Sequence, residues 1–140
     1  MNNEQYIKIE NALNNENNEG IMKLTKREIM SIKNDILQQI GLSSSELKDI
    51  HKRLKDYRYI DEIDDVNYGS YIRWIPLNKE DDIRLRNGGI ICDIKILDNG
   101  IHIFCKNGFR LMQIKFDENL VFQKLTQQEK IILNVLNYIN

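Results

Sequence analysis

Two Asn-Gly pairs, Asn99-Gly100 and Asn107-Gly108, separate runs in which apolar and polar residues alternate. A type I′ corner needs positive φ at both central residues, and Asn-Gly supplies it at the least steric cost. The runs 89–97, 101–106 and 109–116 therefore predict three antiparallel strands of a β-meander. Taking each pair as a two-residue loop sets the register. Ile96 then faces Ile103, Ile94 faces Cys105, Ile103 faces Met112 and Ile101 faces Ile114. One face collects Cys92, Ile94, Ile96, Ile101, Ile103, Cys105, Met112 and Ile114, which predicts a buried surface. The other places Asp93 opposite Lys106, Lys95 opposite Phe104 and His102 opposite Gln113. A slip by one residue would turn the apolar set into water, so both corners specify the same buried face.

Around this meander the period is helical. Thr25 and Glu28 have the spacing of a capping box, and Ile29, Ile32, Ile36, Leu37 and Ile40 form a stripe ending at Gly41. Ser43 and Glu46 repeat the box, with Leu47, Ile50, Leu54 and Tyr57 as a second stripe. The two helices, 24–58, read as an αα-hairpin. Residues 61–65 read as a solvated acidic connector, and Tyr71–Ile75 as a strand ended by Pro76. Residues 77–86 read as a charged loop or edge. Leu120–Leu125 predicts a further strand. A third box, Thr126 and Glu129, opens a last helix, 126–139, with Ile132, Val135, Leu136 and Ile139 facing inward.

The expectation is an α+β chain with one domain over 24–140 and a flexible N-terminal segment over 1–23, where Asn11–Gly20 is polar and low in complexity. Four or five short twisted strands over 69–125 tend to curl, and that stretch resembles a small SH3-like barrel.

Composition excludes several classes. The chain has 140 residues and a formal net charge of −1, which gives no global attraction to nucleic acid or an anionic membrane. It has no apolar run long enough to span a bilayer and no signal-peptide pattern at its start. Two cysteines, Cys92 and Cys105, without CxxC spacing or a Cys/His cluster, and two histidines far apart in sequence, His51 and His102, argue against zinc and favour a reducing, cytoplasmic setting. Both cysteines fall on the predicted buried face as apolar filler. His102 reads as a surface side chain without a catalytic partner. The acids at 61–65 and 80–82 lack metal-loop order, and no phosphate-binding glycine loop is present. No enzyme chemistry, metal, cofactor or small-molecule substrate is expected.

Two binding readings remain. In the first, Phe104, Phe109 and Leu111 on the outer sheet face, with Tyr71 and the helical hairpin, dock on a protein partner or a second copy of the chain. In the second, nucleic acid is held by a basic helix and a basic, aromatic sheet surface: Lys48, Lys52, Arg53, Lys55, Arg58, Arg73, Lys106 and Arg110. Trp74 is expected in the core.

The segment Tyr68-Gly69-Ser70-Tyr71-Ile72-Arg73-Trp74-Ile75, followed by Asn87-Gly88-Gly89 and Cys105-Lys106-Asn107, resembles uncharacterised small proteins of large nucleocytoplasmic DNA viruses. The resemblance implies a viral protein acting in the host cytoplasm, a viral factory or the particle. It carries no functional motif.

Overall fold

In the computed structural model, which describes residues 2–139, there are four α-helices and six β-strands. The helices are α1 (Asn3–Asn14), α2 (Lys26–Gln38), α3 (Ser44–Arg53) and α4 (Gln127–Ile139). The strands are β1 (Tyr57–Ile60), β2 (Tyr71–Pro76), β3 (Gly89–Leu97), β4 (Gly100–Asn107), β5 (Arg110–Lys115) and β6 (Asn119–Lys124). The chain forms two compact units. One comprises the residues up to Leu47 and those from Leu125 onward, and the other comprises Lys48–Lys124.

In the first unit α4 packs on α1 and α2 around Ala12, Ile21, Ile29, Ile132 and Leu133. Its helices start at side-chain caps, each worth about 1 kcal/mol. The Glu28 amide donates to Thr25 Oγ1, and the Glu129 amide donates to Thr126 Oγ1 while Thr126 N donates back to Glu129 Oε1. Residues 3–14, expected within the flexible segment, are instead helical. Asn2 and Gln5 form a reciprocal capping box there, at 2.8 and 3.0 Å. The polar stretch that follows is anchored at two of its asparagines. Asn18 is buried and donates to Ala12 O at 2.8 Å and to Gln128 Oε1, while Asn15 donates to the same oxygen at 2.7 Å.

The cap expected at Ser43 is also present. Glu46 N donates to Ser43 Oγ, and Ser43 N donates to Glu46 Oε1. The Ser43 side chain, and then its backbone amide, hold the Glu46 carboxyl below its usual range.

The second unit is built on one antiparallel sheet in the order β1-β6-β2-β3-β4-β5. Strands β2 to β5 are the expected meander, and β6 returns to lie between β2 and β1. This corrects the expected barrel of four or five strands. The sheet has six, is not closed, and has β1 and β5 as its edges. The extra strand, β1, lies where the second helical stripe was expected to run on to Tyr57. That residue fits the i, i+3 spacing after Leu54, but Tyr57 to Ile60 pair with Lys124 to Val121.

Both corners slide by one residue from the expected loops. Leu97 pairs with Gly100 and Asn107 with Arg110, so Asp98-Asn99 and Gly108-Phe109 are the connecting residues. No described non-glycine residue has positive φ, so neither asparagine adopts the type I′ geometry. Gly100 (φ 126°) follows the first corner, and Gly108 (φ 64°) opens the second, as a type II′ corner requires. The slide moves every pairing by two, which keeps each side chain on its expected face. Ile94 pairs with Ile103, Cys105 with Met112, and Ile103 with Ile114.

Parity does change at Cys92. The register of β3 against β4 shifts between Ile91 and Asp93, leaving Cys92 as the extra residue of a bulge. Ile91 is therefore buried opposite Cys105, and Cys92 is exposed, which corrects its expected burial. Burying an isoleucine contributes about 2–3 kcal/mol, more than the roughly 1 kcal/mol lost with one ladder bond. The resulting core comprises Ile60, Val66, Ile72, Trp74, Ile91, Ile103, Cys105 and Val121, with Ile94, Met112 and Ile114 packed on it. Ile96, expected inside, is 84% exposed because the hairpin tip overruns this core.

Two fixtures hold the connections. Gln123 is buried, donates to Asp65 O at 3.1 Å and accepts from Asn67 N at 2.9 Å, so the expected acidic connector is bonded as a short 3-10 turn. Gly88 has φ 82°, and a Cβ there would lie 1.9 Å from Ile72 O. Gly88→Ala should lower the urea midpoint well beyond Gly108→Ala. At Gly108 nothing lies within 4 Å, and only the left-handed backbone cost of about 1–2 kcal/mol applies. Equal midpoints would contradict this packing.

Candidate protein-interaction surface

Paired residues of neighbouring antiparallel strands point to the same face. Tyr71 pairs with Ile90, Ile90 with Lys106, and Lys106 with Leu111, so these four form a row across β2, β3, β4 and β5 on the face opposite the core. Ile90 and Leu111 are exposed, and Phe109, in the β4–β5 corner, stands wholly in solvent. Tyr71 is half-buried and donates to Asn87 O at 2.7 Å. Phe104 lies in the adjacent row, half-buried, with Lys95 Nζ 5.1 Å from its ring centroid. Of the expected protein-binding residues, Phe109 and Leu111 are thus open to a partner, and Tyr71 and Phe104 are partly covered. On the β1–β6–β2 part of this face, Ile75, Leu120 and Phe122 are buried, and Tyr59 stacks on Phe122 at 5.7 Å.

The free edge of β5 borders a cleft of about 870 Å³. All six residues Arg110–Lys115 line it. Alternate side chains of a strand point to opposite faces, so a lining of both parities means that the strand edge faces the cleft. The other wall is Pro76, Asn78, Lys79 and residues 84–88, with Trp74 and Met112 also in contact with the space. Strands β3 and β4 separate these walls in the sheet order, so the sheet curls to set them across one opening. The expected curl is present, but a seam remains.

The loop wall is fixed by several bonds. Arg86 N donates to Trp74 O at 2.8 Å, Arg73 Nε to Arg86 O at 2.9 Å, and Asn107 Nδ2 to Gly88 O at 3.0 Å. Asp82 pairs with Arg84 and Arg86, each at 2.9 Å, and Glu118 with Lys115 at 3.3 Å.

The residues expected to hold nucleic acid are dispersed. Lys48, Lys52 and Lys55 are exposed, Arg53 pairs with Asp49, and Lys106 and Arg110 are exposed on the hairpin. Arg73 is engaged with the Arg86 carbonyl. Arg58 is buried in β1, which leaves no surface for a phosphate contact and corrects its assignment. The loop cations Lys79, Arg84 and Arg86 of the cleft are not among the expected residues. Their signal is Arg84-Leu85-Arg86, in which Leu85 is buried between arginines that line the opening.

His102 corrects another expectation, being buried on its sheet face. Its Nδ1 accepts from Gln113 Nε2 at 3.0 Å, and its Nε2 lies 2.8 Å from Asn99 Oδ1. The ring is therefore placed as the Nε2–H tautomer, with both nitrogens engaged. Among the described residues, no three His, Cys, Asp or Glu side chains converge as a metal site, and no helix is long and apolar enough to cross a membrane. Comparison with protein-family models, curated proteins and solved structures gives no match.

Burial, and then Cys92, push the Cys105 thiol up to about 12. A thiol must ionise to react, so a disulfide reagent at pH 8 should label one cysteine per native chain, at Cys92, and both after denaturation. Rapid native labelling of Cys105 would contradict the core assignment.

Proposed function

We propose that this chain is a non-enzymatic protein-interaction module that docks through the outer face of its β4–β5 hairpin. The observation that carries the reading is the exposed apolar group of Ile90 and Leu111, in one ladder-paired row, and Phe109 in the tight corner beside it. Such a group costs solubility when left in water, and its rigid backing means little order is lost on docking. Flanking Lys106 and Arg110 supply a polar, cationic rim. Self-association by pairing two β5 edges is disfavoured, because it would bring Arg110 and Lys115 of both copies together. The favoured partner is therefore a different protein, with an acidic margin.

A second reading, nucleic-acid binding, draws on the exposed Lys48, Lys52, Lys55, Lys106 and Arg110. It requires affinity for oligonucleotides that falls steeply with salt.

Selection of a random peptide-display library against the full chain separates these readings. Enriched peptides should lose binding, by about tenfold or more, to Phe109→Asp and Ile90→Asp variants that keep the native circular dichroism. If no peptide is enriched, or binding is indifferent to both substitutions, the docking reading fails.

A further inference from the structure

We infer that the cleft between β5 and residues 77–88 takes an extended acidic peptide segment, which adds to the sheet as a seventh strand along β5. The inference rests on the protein-interaction reading and names its partner chemistry and binding mode.

Three observations meet at the cleft. The first is the edge itself. β5 ends the sheet order, and its six consecutive residues border the opening. A strand edge presents alternating N–H and C=O groups, which another peptide backbone satisfies and a phosphodiester does not. The carbonyls would oppose a nucleic-acid backbone, so the peptide is favoured over a nucleic acid.

The second is charge. Lys79, Arg84, Arg86, Arg110 and Lys115 line the cleft with one carboxylate, Glu118. Asp82 engages Arg84 and Arg86, and Glu118 engages Lys115. Lys79 and Arg110, on opposite walls, have no acidic partner among the described residues. Carboxylates on an extended segment paired to β5 would lie beside Arg110, with Lys79 across the cleft.

The third is preorganisation. The far wall is bonded to β2 through Arg86 N and Arg73 Nε, and to the hairpin through Asn107. It need not be ordered when a ligand enters, and that spares part of the entropic cost of binding.

The test uses the full chain and fluorescence anisotropy with three synthetic ten-residue peptides. One alternates Glu and Val, one alternates Lys and Val, and one is the Glu/Val sequence with every backbone amide N-methylated. A thymidine decanucleotide is the fourth probe. At about 50 mM salt, the unmodified Glu/Val peptide should bind with affinity that weakens at 300 mM. Lys79→Glu and Arg110→Glu, both at exposed positions, should each weaken it about tenfold. The Lys/Val peptide should not bind, and N-methylation should abolish binding because it removes backbone donors while keeping the charge.

Equal binding of the methylated peptide or of the decanucleotide would overturn strand addition and leave attraction for any polyanion. No binding of the Glu/Val peptide would overturn the inference outright. Neither result touches the docking reading if selected peptides still depend on Phe109 and Ile90, which lie outside the cleft lining.

Discussion

The alignment of β3, β4 and β5 is the constraint on which the second unit depends. It decides that Ile91, Ile103, Cys105, Met112 and Ile114 face the core, and that Ile90, Lys106 and Leu111 face outward. The corner glycines supply the only positive φ near the turns, and they set the loops one residue away from the Asn-Gly pairs taken as units. The bulge at Cys92 then exchanges a thiol for an isoleucine in the core. Without it, β3 beyond Asp93 would turn Ile91 into water.

The same alignment generates the surfaces. Ile90 reaches the outer row only because the bulge has reversed parity ahead of Cys92, so the apolar row and the buried Ile91 are two results of one irregularity. The sheet stops at β5, although its curl brings that strand across from β2 and the loop that covers it. Gly88 lets the loop chain pass against Ile72, while Tyr71 ties it to β2 and Asn107 ties it to the hairpin. A rigid, half-closed seam follows from backbone packing rather than from any one side chain of the cleft.

Much of this architecture was legible in the sequence. The three helix caps at Thr25, Ser43 and Thr126, the meander and the face of Ile94, Ile103 and Met112 followed from spacing and parity. The N-terminal helix was missed because a run of Asn and Glu was weighed by polarity, although Asn15 and Asn18 act as hydrogen-bond donors to Gln128. β1 was missed because Tyr57 satisfies both a helical and a strand pattern. The bulge had no local signal, since Ile91 and Cys92 are both acceptable core residues and only the packing opposite Cys105 chooses between them. Of the interaction surface, Phe109 and Leu111 were readable from alternation. The cleft was not, because its walls are separated by two strands in the sheet and its charge depends on which loop acids pair with which arginines.

The open edge of β5 is the claim most directly exposed to measurement, through residue-resolved amide hydrogen exchange on the free full-length chain. The account predicts slow exchange along the interior of β4, and alternating slow and fast amides from Arg110 to Lys115, as one set bonds β4 and the other points into the cleft. Uniformly slow exchange across all of β5 would mean that the seam is closed by backbone pairing, and the account of both surfaces would be contradicted.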